Sequence, residues 1–200
     1  LLAHDAGTFG YALSEGVFPS YSDHDAHAMA QAGVDLAVRR AVAAGARPDR
    51  IALLDNYCWP DPLEGPGNPD ARHKAAQLVR ASRGLAEACL AYGTPLVSGK
   101  DSMKNDAVVG GRRISIPPTL LVSALALVPD ARRALTLEAG GPGELLLAVG
   151  ETRDELGCTE WAARRGERGG AVPRCRPGDL APRYRAVGEA IAAGLVTAAH

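Results

Sequence analysis

The sequence lacks an excess of charge of either sign, with 22 Lys and Arg against 23 Asp and Glu over 200 residues. A chain so balanced carries no basic stripe for a phosphate backbone or an anionic membrane surface. It also lacks a long apolar run. The best candidate, Leu120 to Val128, is strand-sized and far short of the ~20 residues that cross a bilayer. No two of its four cysteines form a C-x-x-C pair, and none lies near histidine at zinc-finger spacing, so reduced thiols are expected. Aromatic residues make up only 4%, which leaves Ala and Gly to carry the bulk and favours closely packed helices. There is no initiator Met and no charged-then-apolar leader pattern. The chain is therefore expected to be cytosolic and to be a piece of something longer.

What is present alternates between strand and helix patterns. Gly7 to Leu13 has strand character, and Pro19 breaks it. A helix is predicted over about Asp25 to Ala44, capped by Ser22 or Asp23, with Ala30, Val34, Ala37 and Ala41 as its buried stripe. Ile51 to Leu54 reads as a strand covered on both faces and ends at Asp55-Asn56. A loop with four prolines follows. A second helix is predicted from Asp70 to Tyr92, with Ala76, Val79, Leu85, Ala88 and Cys89 on its inner side. Leu96-Val97 is a short strand, and Arg113 to Ile116 and Thr119 to Val128 are two more. A boundary falls near Pro129-Asp130, so residues 1–129 and 130–200 are expected to be separate units. In the second, Glu144 to Val149 and Leu195 to His200 read as strands, and Thr159 to Arg165 and Leu180 to Ala193 as helices. The alternation predicts an α/β to α+β layer fold. The second unit is too small to close a core of its own.

Val97-Ser-Gly-Lys-Asp-Ser-Met-Lys-Asn-Asp106 looks like a phosphate cradle. It is not a P-loop: Gly93 and Gly99 are one residue too far apart, Asp101 stands where Ser or Thr belongs, and no helix pattern follows. Its chemistry still suits an anion. Lys100 and Lys104 are compact positive charges, Asp101, Asn105 and Asp106 offer oxygens to magnesium, and Ser102 can donate a hydrogen bond. All lie where a strand is expected to end, the usual ligand position in open α/β sheets. Asp55-Asn56 is expected at a neighbouring strand end, so the two clusters should share one edge. A solvated turn is the plain alternative. Asp23-His24-Asp25-Ala26-His27 offers a possible transition-metal site, although acidic residues also favour a helix start for electrostatic reasons.

Three motifs in series carry a resemblance. They are Ile51-Ala-Leu-Leu-Asp-Asn-Tyr-Cys-Trp-Pro-Asp-Pro62 with His73-Lys-Ala-Ala-Gln-Leu-Val-Arg80, Tyr92 to Asp106, and Arg113-Ile-Ser-Ile-Pro-Pro-Thr-Leu-Leu-Val-Ser123. Together they resemble the phosphoribosylformylglycinamidine synthase family, and specifically the second of its two related halves. The resemblance extends to Gly194-Leu195-Val196. It implies the aminoimidazole ribonucleotide synthetase-like fold, here an N-terminal sheet-and-helix domain followed by an incomplete α+β domain. It implies an ATP-dependent C–N ligase of purine biosynthesis that converts formylglycinamide ribonucleotide to the amidine. The cofactors implied are ATP and magnesium. The partners implied are the first synthetase half and a glutaminase domain or subunit supplying ammonia.

By position, the resemblance implies that Asp55, Gly99 and Lys100 lie at the ATP and that Ser102 touches the ribonucleotide. Lys100 stands where one branch of the family has a metal-binding Asn, so phosphate contact replaces metal ligation there. Asp25 matches a metal-site carboxylate of an auxiliary nucleotide site. Its usual Glu and Asn partners are replaced by Leu36 and Arg40, which implies an anion held without metal. The proton-transfer histidine and main magnesium carboxylates belong to the first half, so no catalytic residue is assigned here and the fragment alone is expected to be inactive. The alternatives are a non-catalytic scaffold half and another ATP-using member of the superfamily.

Overall fold

The computed structural model describes residues 7–167 and 169–200. Its elements are β1 (Gly10–Val17), α1 (Ala26–Ala43), β2 (Ile51–Cys58), α2 (Ala71–Tyr92), β3 (Leu96–Ser102), β4 (Asp106–Val109), β5 (Arg112–Ser115), β6 (Thr119–Val128), α3 (Glu160–Arg164) and α4 (Pro177–Ala192). Four strands form a sheet in the order β1-β6-β2-β3. The β1–β6 and β2–β6 pairs are antiparallel, and β2–β3 is parallel. A parallel neighbour needs a crossover, and α2 supplies it. The mixed α/β class expected from the alternation is the one observed.

Both long helices cover one face of the sheet. The stripe Ala30, Val34, Ala37 and Ala41 is fully buried, as its spacing predicts. Small residues let α1 approach closely. A Cβ added at Gly16 of β1 would meet the Gly33 carbonyl oxygen of α1 at 2.0 Å, so only glycine fits there. From the sheet, Leu53, Val122, Ala124 and Ala126 point into the same core. Each fully buried large apolar side chain contributes roughly 1.5–3 kcal/mol to the stability of that layer.

The opposite face is open. Side chains alternate along a strand, so Leu13 and Val17 of β1, Leu54 of β2 and Leu125 of β6 share it. All four are exposed, Leu13 at 67% and Leu125 at 47%. The result is an apolar surface with no helix upon it among the described residues.

Several expectations change. The cap of α1 is Asp25, not Ser22 or Asp23, and its carboxylate accepts from the amides of His27 and Ala28. The inner face of α2 is rotated in its first turns: Ala76 and Val79 face solvent, whereas Lys74 and Gln77 are buried. Burial of these polar groups is tolerated because both are paired, Gln77 Nε2 donating to the Ser22 carbonyl at 2.8 Å. The strand begun at Leu96 runs on through Ser102, and the glycine-rich stretch after it is the β4–β5 hairpin, turning at Gly110-Gly111. Glu144 to Val149 and Leu195 to His200 carry no ladder. Leu145, Leu146 and Leu147 stand exposed, since a strand exists only against a partner. α4 begins three residues earlier than predicted, at Pro177, where a missing N–H costs nothing.

Candidate nucleotide and substrate site

The parallel register sets the site. Asp55 of β2 is opposite Gly99 of β3, Asn56 opposite Lys100, Tyr57 opposite Asp101 and Cys58 opposite Ser102. Asp55 and Gly99 therefore share a face with Tyr57, which is the helix-covered side. Lys100 and Ser102 share the other, open face. The two clusters meet at neighbouring strand ends, but on opposite faces of the sheet. They lie back to back across β3, with Asp55 and Ser102 on the order of 11 Å apart by strand spacing. Because β3 is an edge strand, its outer rim joins the two faces.

On the helix side, a Cβ added at Gly99 would fall 2.3 Å from Asp55 Oδ1. The carboxylate thus occupies the space that any other residue at 99 would fill. Burial pushes the Asp55 carboxyl above its ordinary value, and the negative charge of Asp101 on the same face pushes it further. Two repelling carboxylates are the donor set a hydrated magnesium ion accepts, since that ion uses one or two carboxylates with phosphates and water. On the open side, the Lys100 ammonium donates to Ser102 Oγ. That leaves the hydroxyl proton free to point outward as a donor. Asn105 and Asp106, expected to offer oxygens to a metal, also make contacts within the chain. Asn105 Nδ2 donates to the Ser102 carbonyl at 2.8 Å, and Asp106 Oδ2 accepts from the Asp61 amide at 2.9 Å.

Asp25 is elsewhere, at the start of α1. Arg80 Nη2 donates to its Oδ1 at 2.9 Å. Burial opposes ionisation there, but the Arg80 guanidinium and the amides of Ala28 and His27 outweigh it and hold the carboxyl below its usual range. Leu36 and Arg40 lie 11 and 15 residues further on, roughly 16 and 22 Å along the axis. They do not surround an ion together with Asp25. Arg40 instead donates to the Glu15 carbonyl at 2.9 Å. His27 pairs with Glu87 at 2.8 Å, and no group of three metal-ligating side chains occurs among the described residues. The oxygens of Asp25 serve a helix cap and a guanidinium.

Sequence reasoning missed the residues beneath the site. Trp59 and Lys74 are almost wholly buried; the Trp59 amide donates to the Ser102 carbonyl at the β3 tip, and Trp59 Nε1 donates to the Lys74 carbonyl. The only signal was that Lys74 sits in helical register with the apolar residues Ala71 and Ala81.

With this geometry in place, the relationships are clear. The chain belongs to the AIR synthase related protein family, whose N-terminal domain matches residues 4–128. Its relatives within that family include phosphoribosylformylglycinamidine synthase subunits called PurL. One from Rhodopseudomonas palustris strain HaA2 is 34% identical over 97% of this chain and 25% of its own length. Another from Thermomicrobium roseum is 36% identical over 96% of this chain and 24% of its own. The chain therefore spans about a quarter of the relatives it matches. Among solved structures, Thermotoga maritima PurL complexed with ATP aligns over 66% of this chain and 20% of its own, at 26% identity and a TM-score of 0.51.

Proposed function

We propose that the chain is part of the second half of a phosphoribosylformylglycinamidine synthase. In this reading it supplies one side of a composite site, where ATP activates formylglycinamide ribonucleotide for attack by ammonia. The observation that carries it is the Lys100–Ser102 pair at the end of an edge strand, on an apolar face that nothing among the described residues covers. A ligand there is enclosed only when another unit docks on that face.

The roles follow from the geometry. Gly99 keeps the rim of β3 free of side chain and leaves room for Asp55. Asp55 and Asp101 would hold a nucleotide-bound magnesium ion from this side, beside the carboxylates of the first half, and that ion would supply positive charge to the phosphates. Lys100 adds a point charge to the phosphates, and Ser102 donates to the ribonucleotide. The terminal phosphoryl group passes to the amide oxygen of the substrate, ADP departs, and ammonia then displaces the phosphate. The first synthetase half covers the open face and brings the proton-transfer group, and a glutaminase partner releases the ammonia from glutamine. We assign no nucleic-acid or membrane partner, place the enzyme in the cytosol and set the boundary of the sheet domain at residue 129.

The test is steady-state kinetics of the full-length synthetase. Asp55→Ala should raise the KM for ATP roughly tenfold or more, and Ser102→Ala should raise that for the ribonucleotide roughly three- to tenfold. If neither constant moves, the chain is a scaffold half, a reading that the Arg80-bound state of Asp25 favours.

A further inference from the structure

The tip of β3 is not held by the sheet alone. The carbonyl of Ser102 accepts two hydrogen bonds, from the Trp59 amide at 2.8 Å and from Asn105 Nδ2 at 2.8 Å. The Asn105 amide returns a bond to the Trp59 carbonyl at 3.0 Å. Residues 59 and 102–105 are thereby locked in a small ring of backbone and amide groups. Trp59 is itself anchored, its Nε1 donating to the Lys74 carbonyl at 3.0 Å.

Lys74 closes the arrangement from below. It is 5% exposed, and burying an ammonium so deeply is costly unless each proton finds an acceptor. It has three protons and three acceptors: Asn68 Oδ1 at 2.8 Å, Ser115 Oγ at 3.1 Å and Asp70 Oδ1 at 3.0 Å. Asn68 belongs to the proline-rich loop, and Ser115 to the hairpin strand that pairs with Asp106. Asn68 in turn holds its loop by donating to the Asp61 and Leu63 carbonyls. One ammonium thus ties the segments on both sides of the Ser102–Asn105 turn to α2. Methionine has the length of this side chain but none of its donors, and arginine's planar fork does not match three converging acceptors.

We propose that Lys74 and Asn105 are positioning residues for Ser102: they hold its backbone so that the hydroxyl meets the ribonucleotide. The functional half of this inference rests on the reading of Ser102 given above. Gly99 and Asp55 are held independently by the β2–β3 ladder. Loosening the turn should therefore affect one substrate and spare the other.

The experiment compares Lys74→Met, Asn105→Ala and Ser102→Ala in the full-length synthetase. It reads the KM for each substrate and amide hydrogen exchange at Ser102 to Asn105. Lys74→Met and Asn105→Ala should each raise the KM for the ribonucleotide about tenfold, with that for ATP changed less than about twofold. Exchange at the turn should quicken in both, and Lys74→Arg should not restore either quantity. Asn105→Ala removes one half-buried turn amide and leaves the core beneath it intact, so it remains informative if Lys74→Met fails to fold. Equal effects on both substrates, or turn exchange unchanged in Asn105→Ala, overturn the proposal. Unchanged kinetics in Ser102→Ala alongside faster turn exchange in the other two overturns the reading of Ser102 and leaves the clamp standing.

Discussion

The two faces of the main sheet are built from similar residues and meet different surroundings. Leu53, Val122 and Ala126 on one side are sealed under α1 and α2, whereas Leu13, Leu54 and Leu125 on the other stand in the open. A sheet with one uncovered face usually turns polar side chains to water there. This one turns leucines, and the residues proposed to bind ligand sit at the rim where the covered and uncovered sides meet. The contrast teaches that the open face has the make-up of an interior, and in the proposed composite site another unit closes it.

Adjacent residues of β2 break or confirm this most sharply. Leu53→Ala should cost about 3 kcal/mol in urea unfolding, because the void left behind cannot collapse. Leu54→Ala, one residue away on the open face, should cost less than about 1 kcal/mol. Equal losses would mean that the isolated chain already buries both faces. Leu125→Arg should likewise leave the unfolding midpoint almost unmoved while abolishing association with the first synthetase half, as read by sedimentation. Gly16→Ala comes next. Its Cβ would overlap the Gly33 carbonyl oxygen, and the displacement of α1 should cost about 2 kcal/mol.

Smaller and opposite in sign are the effects of two carboxylates. The folded pKa of Asp25 lies below its unfolded value, so its contribution is present above the ordinary carboxylate range. That contribution is lost as pH falls through the depressed folded value, and Asp25→Asn should flatten the acid limb of the stability curve. Asp55 runs the other way. Its folded pKa is raised by burial and by Asp101, so its charge weakens the fold once pH rises past that value. Asp55→Asn should raise the melting temperature slightly at neutral pH. A fall would show that the carboxylate is already stabilised by a partner.

Much of this was legible before any coordinates. The α1 stripe follows from helical spacing, and β6 was read to the residue because ten apolar and small residues run from the Pro117-Pro118 break to Pro129. The inner face of α2 departs from its apolar pattern because apolarity alone does not decide burial. Lys74 and Gln77 are inside because acceptors from three other segments meet them there, and no local pattern announces such partners. The strands predicted at Glu144 to Val149 and Leu195 to His200 fail for a related reason. Strand propensity is a local property, and a ladder is not.

The residue types of the proposed site, Asp55, Gly99, Lys100 and Ser102, were determined by the sequence alone, because charge, donor capacity and the lack of a side chain are chemical properties of single positions. Their division between two faces was decided only by the tertiary structure. A side chain's face depends on strand register, and register is settled by which strand lies alongside, whose residues come from far away in the chain.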